Sequence, residues 1–111
     1  MIEMTVIEFL KDSLEMEVYG EFPENPPSYF LVVEKTGSSD DEMIDFATIA
    51  IQSYAPTLYE AAELNLRVKN AMKNIVELPS VNEADLNSDY NFTDLSMKKY
   101  RYQAVYEITH Y

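Results

Sequence analysis

Asp40, Asp41 and Glu42 stand side by side with Asp45 close behind, and together they form the one carboxylate cluster of the sequence. A calcium or magnesium site needs several oxygens converging from a tight loop, and this spacing matches no calcium-loop pattern. The cluster therefore reads as a charged turn that faces solvent, a partner or a lumen. His110 is the single histidine, and a histidine base needs a positioned partner to act. No Ser–His–acid arrangement with local motif support is visible, so His110 reads as an exposed strand residue. Two glycines, Gly20 and Gly37, are too few for a phosphate-binding loop or a dinucleotide fingerprint. The absence of cysteine removes disulfides, thiolate zinc sites and thiol nucleophiles. These residue types predict a chain without catalytic residues, metal or cofactor, and hence not an enzyme.

Tyrosine is the other conspicuous side chain: there are nine, with no tryptophan. Tyr100, Tyr102, Tyr106 and Tyr111 crowd the last segment. Tyrosine suits interfaces because it joins a large contact area to a polar tip. Tyr102 and Tyr106 share a strand face with Ala104 and Ile108 and are expected in the core. Tyr100 and Tyr111 are the candidates for a subunit interface.

The net charge of −12 is unevenly spread. Residues 1–45 carry twelve acids against two lysines, and the remainder carries eight acids against six cations. Such a field repels phosphate backbones and anionic lipid, so neither direct sequence-specific nucleic-acid binding nor a membrane partner is expected. The amino-terminal segment has no early cationic cluster, and no apolar run reaches signal-peptide or membrane-spanning length. Asn91-Phe92-Thr93 matches a glycosylation acceptor, but without a secretion signal it reads as chance.

What must position these side chains is one α+β domain over residues 1–111, an antiparallel sheet of about four to five strands packed with two helices. Thr5 and Glu8 have capping-box spacing, with Met4 and Phe9 placed for a hydrophobic staple, which predicts a helix over 5–14. Residues 15–22 alternate acid and apolar and read as a strand, ended by the prolines of 23–27. Residues 29–35 read as a central strand and 36–41 as a turn. The run 43–54 is apolar on both alternating sets, which predicts a strand covered on both faces. Thr57 and Glu60 make a second capping box. Ala61, Leu64, Val68, Ala71, Met72 and Ile75 make one apolar stripe, so a second helix follows. Beyond Pro79 come two short strand-like pieces, 81–84 and 88–92, and then a strand over 100–111.

The order of these segments is familiar. A proline-bearing stretch running into a strand (PENPPSYFLVVEKTG, 23–37) precedes a strand ending IAIQSYA (49–55). An alanine-rich helix (TLYEAAELNLRVKNAM, 57–72) comes next, and the chain closes on YRYQAVYEI (100–108). From Phe22 to Tyr111 this resembles the small tail-terminator, or head–tail joining, proteins of long-tailed bacteriophages and prophages. The strongest pieces are Ile51-Gln52-Ser53-Tyr54-Ala55 and Arg101-Tyr102-Gln103. The resemblance implies a sheet flanked by helices and a homo-oligomeric ring, usually a hexamer. That ring would cap the tail tube, dock on the head connector or neck proteins, and catalyse nothing. It also implies a virion protein assembled in the bacterial cytoplasm. DNA would pass through the ring, and Asp40, Asp41 and Glu42 are the candidates to face that lumen or a partner. The strongly acidic first half departs from the more neutral versions usual in the family, so another neck or tail-completion role stays open. The alternative from a different class is an acidic DNA mimic that inhibits a DNA-binding enzyme.

Overall fold

The computed structural model describes residues 1–41 and 44–111, the Asp41 side chain excepted. Helix α1 (Ile2–Leu14) leads into a two-residue strand β1 (Val18–Tyr19). The hairpin β2 (Phe30–Asp41) and β3 (Ile44–Ala55), helix α2 (Leu58–Met72), and the pair β4 (Val81–Asn91) and β5 (Tyr100–His110) follow. One five-stranded sheet results, in the order β1-β2-β3-β5-β4, and every pairing is antiparallel except the short parallel contact of β1 with β2. The α+β class is as the sequence predicts, with that one parallel edge added. No helix among the described residues is long and apolar enough to cross a membrane.

Strand β3 holds the centre. From Ala47 to Ala55 every residue but Thr48 is buried. It pairs with β2 on one side and with β5 on the other along its whole length, from Asp45↔His110 to Ala55↔Tyr100. Both helices lie on one face of the sheet, α1 over β1 and β2 and α2 over β3 and β5. Val6 and Leu10 of α1 meet Val68 and Met72 of α2 and Ile49, Ile51 and Ala104 of the sheet in one continuous core. Asn65 Nδ2 and Lys69 Nζ, one helical turn apart on α2, both donate to Asp89 Oδ1 at 3.1 Å and tie the helix to β4.

Several boundaries differ from those read in the sequence. Helix α1 begins at Ile2, so Thr5 lies inside it and is no N-cap; its hydroxyl donates back to the Met1 carbonyl at 3.2 Å. The apolar Ile2, which packs into the core, makes the extra turn worth forming, and Met4 stays exposed, away from any staple. The strand expected over 15–22 shrinks to two residues. Glu15 takes a left-handed conformation (φ 51°) that closes α1 and leaves little length before the prolines. Residues 36–41 are strand and not turn. A fully paired β3 offers them a backbone ladder, which outweighs their local turn preference. The one concession is a register shift between Lys35 and Gly37. The two pieces expected after Pro79 are one strand, β4, interrupted by register shifts at Val81/Glu83 and Leu86/Ser88.

Half of the second capping box is present: Thr57 Oγ1 accepts from the Glu60 N–H at 3.2 Å, whereas the Glu60 carboxylate accepts the Thr57 hydroxyl at 3.1 Å in place of its N–H. Replacing Thr57 by Ala is expected to cost about 1 kcal/mol, because the Glu60 N–H is then orphaned. Thr5→Ala, inside a helix, is expected to stay within about 0.5 kcal/mol of the parent. Chemical denaturation of the two variants checks the contrast. Tyr106 is buried beneath α2, and that burial, with the Asp89 charge behind it, pushes its phenol up to about 12 from 10.0. Folding therefore favours the neutral phenol, a contribution fully present below pH 10.0 and lost as the pH rises towards 12. Stability measured across that window should fall less steeply in Tyr106→Phe than in the parent.

Candidate functional site

The face of the sheet turned away from the helices is where the chain gathers its polar and aromatic side chains. At one end of that face Phe30 of β2 stacks flat on Tyr54 of β3, centroids 4.6 Å apart, and the exposed Phe22 packs edge-on to both rings. A row of hydrogen bonds then runs across three strands in a single direction. Arg101 NH1 donates to Tyr54 Oη at 2.7 Å and Tyr54 Oη to Gln52 Oε1 at 3.3 Å. Gln52 Nε2 donates to Gln103 Oε1 at 2.9 Å, and Gln103 Nε2 to Tyr90 Oη at 2.6 Å. Gln52 and Gln103 are both buried, and each amide holds the other in place. The bonds of this row join cross-strand neighbours, Gln52↔Gln103, Tyr54↔Arg101 and Tyr90↔Gln103, except that between Tyr54 and Gln52, two residues apart on β3.

Arg101 is anchored twice at the end of the row. Its Nε donates to the Phe92 carbonyl at 2.6 Å, and the guanidinium lies 4.3 Å from the Phe92 ring centroid. Beside it, Lys99 Nζ sits 4.1 Å from the centre of the Phe22 ring. Phe22, Tyr54, Phe92, Lys99 and Arg101 line an open groove of about 640 Å³. Glutamines within apolar runs were the available sign of this network. Gln52 and Gln103 sit on the same face, opposite the helix-covered one. Their pairing depends on which strand neighbours which, and periodicity does not carry that.

The β4–β5 connection, Phe92 to Lys99, continues from the same end as a shaped loop. Asp94 Oδ1 accepts from the Ser96 hydroxyl at 2.7 Å and from the Ser96 and Met97 N–H groups at 3.1 and 3.3 Å. Those bonds, the Ser96 hydroxyl first, hold the Asp94 carboxyl below its ordinary value. Asp94 and Lys99 pair backbone to backbone, and Lys98 adopts a positive φ of 53°. With its backbone so tied, the loop leaves Leu95 and Met97 in water, 81% and 60% exposed.

The residues singled out in the sequence fall at both ends of the sheet. Tyr100 opens β5 opposite Ala55 and is half-buried next to the loop. Tyr111 is 65% exposed at the far end, where its N–H donates to the Ser80 carbonyl at 3.0 Å. Asp40 is exposed on the outer half of the β2–β3 hairpin, cross-strand from Asp45. Asp41 continues β2, and Glu42 lies outside the described residues. Asp40, Asp45 and Tyr111, with Met1, Phe46 and His110, line a cleft of about 530 Å³ between the start of α1 and the hairpin. His110 Nδ1 lies 3.3 Å from the Tyr111 carbonyl, next to it in the chain. Among the described residues no three His, Asp or Glu side chains converge to hold a metal ion. No protein-family model and no curated protein matches the chain.

The buried amide pair sets an expectation for this face. Gln52→Leu leaves the Gln103 carbonyl without its donor and is expected to cost about 1–3 kcal/mol. Gln52→Leu combined with Gln103→Leu should recover part of that, since the Gln103 carbonyl no longer stands without a donor and only the Tyr54 hydroxyl still lacks its acceptor. A double-mutant cycle by urea denaturation measures the coupling.

Proposed function

We propose that this chain is a non-catalytic structural subunit of the tail-terminator kind. Its copies would form a ring that caps a phage tail tube and presents a docking surface to the head connector. One observation carries the reading: among the large apolar side chains left in water, some gather at each end of the sheet. Phe92, Leu95 and Met97 are exposed at one end, and Met1, Phe46 and Tyr111 at the other. Single exposed apolar residues are ordinary on a folded domain, whereas grouped ones mark surfaces that another protein covers.

Two further features support it. The segments that carry the family resemblance, Ile51–Ala55 and Arg101–Gln103, are cross-strand neighbours joined through Gln52, Gln103, Tyr54 and Arg101. They thus form one ordered patch rather than two unrelated stretches. The charge of −12 also suits a ring threaded by DNA, because a negative lining lets the duplex pass without adhering. On this reading Asp40 is the described member of the acidic trio free to face such a channel or a partner.

Native mass spectrometry over a concentration series, with and without purified tail tubes, is the test. A closed ring of fixed subunit number, alone or captured on tube ends, is the expected result. A monomer that ignores tubes at every concentration would overturn the proposal. A salt-sensitive one-to-one complex with a DNA-binding enzyme would establish the DNA-mimic reading in its place.

A further inference from the structure

The two ends of the sheet are unlike, and their differences are complementary. We infer that copies of this chain join head to tail, with the Phe92–Lys99 loop of one copy seated in the hairpin cleft of the next. This rests on the assembly reading above and specifies the contact that would serve it.

The loop is a cationic, apolar projection on an acidic protein. Lys98, Lys99 and Arg101 are three of only eight lysines and arginines in the chain. Arg101 is consumed inside the fold, but Lys98 is exposed, and Lys99 rests over Phe22 with its ammonium donors still free of any carboxylate among the described residues. The one acid between Phe92 and Arg101 is Asp94, whose Oδ1 is spent holding the loop's own backbone. Between the cations and that anchor stand Leu95 and Met97, both largely in water.

The cleft offers the converse. Its apolar surface comes from Met1, Phe46 and Tyr111, and its exposed carboxylates are Asp40 and Asp45. The one lysine lining it, Lys35, is paired with Glu3 at 3.8 Å. A projection with an apolar tip and flanking ammonium groups therefore meets apolar surface and unpaired carboxylates. Opposite potentials across such a contact orient the approach and reject wrong partners. Phosphate-bearing partners are poorer occupants of the loop, because the field of the whole chain repels them.

Geometry makes the contact intermolecular. The β3–β5 register puts the loop beyond Ala55↔Tyr100 and the cleft at Asp45↔His110, at opposite ends of the same strands. The molecule is 43 Å long, so one copy cannot place its loop in its own cleft. Two different patches on one subunit make a heterologous contact, which propagates from copy to copy and closes into a ring when the rotation permits.

The experiment uses two charge-reversed chains, Lys98→Glu/Lys99→Glu and Asp40→Lys/Asp45→Lys, with thermal unfolding confirming that both fold. Each alone should self-associate at least about tenfold more weakly than the parent, as truncated interface centres do. Mixed, they pair the intact loop with the intact cleft and the reversed loop with the reversed cleft, so association should return as assemblies in which the two chains alternate one to one. Placing all four substitutions in one chain should restore self-association. Unchanged assembly of both variants, or a mixture that stays monomeric, overturns the head-to-tail contact while leaving the ring reading standing. Open dimers or filaments that depend on both patches support the contact and sink the closed ring. A parent chain that is monomeric at every concentration, with and without tail tubes, overturns both.

Discussion

A strand buried on both faces must find cover twice, and β3 is such a strand in a chain that supplies helices to one side only. On the helix side the solution is ordinary apolar packing of α1 and α2 against Ile49 and Ile51. On the other side there is no second layer. Cover comes from side chains of the sheet itself and from Phe22 in the proline-rich connection, by the Phe30–Tyr54 stack and the Gln52–Gln103 bridge. The neighbours on either side follow from this. Strand β5 has to bring Gln103 and Arg101 opposite Gln52 and Tyr54, and β2 has to bring Phe30 over Tyr54.

A polar solution to that problem is demanding, since a half-paired amide in a dry place is worse than a methyl group. Here the row of donors runs from Arg101 to Tyr90 without reversing, so each buried acceptor is used. The arrangement holds the sheet in a single register. A slip of one residue would set the glutamines among the core side chains and the isoleucines in water. Order at this end also reaches the β4–β5 loop, because Arg101 closes on the Phe92 carbonyl where the loop leaves the sheet.

Much of the architecture is legible in the residues themselves. The stripe of α2 and the cap at Thr57 are local patterns, and local geometry realises both. The doubly apolar β3 announces its central place in the same way. What escapes are features decided at a distance. Thr5 carries every local mark of a cap, yet Ile2 has a core position to fill and the helix begins before it. Thr36 to Asp41 looks like a turn until β3 is there to pair with it. The site follows the same division. Tyr111 and Asp40 are visible as exposed polar or aromatic ends. The Gln52–Gln103 pair and the contrast between the two ends depend on strand order, which a sequence separation of 51 residues conceals.

The register shifts of β4 bear on what the outer edge of the sheet offers to another strand. An open outer strand of eleven residues is a template on which a foreign strand can lay down hydrogen bonds, and from there a fibril can grow. Here the ladder is broken after Val81 and again after Leu86, and Glu83 and Asp85 add charge between the breaks. Along this edge the breaks interrupt the run of unpaired backbone that a newcomer could copy. The apolar groups at the two tips are thus not joined along the β4 flank by a continuous open ladder.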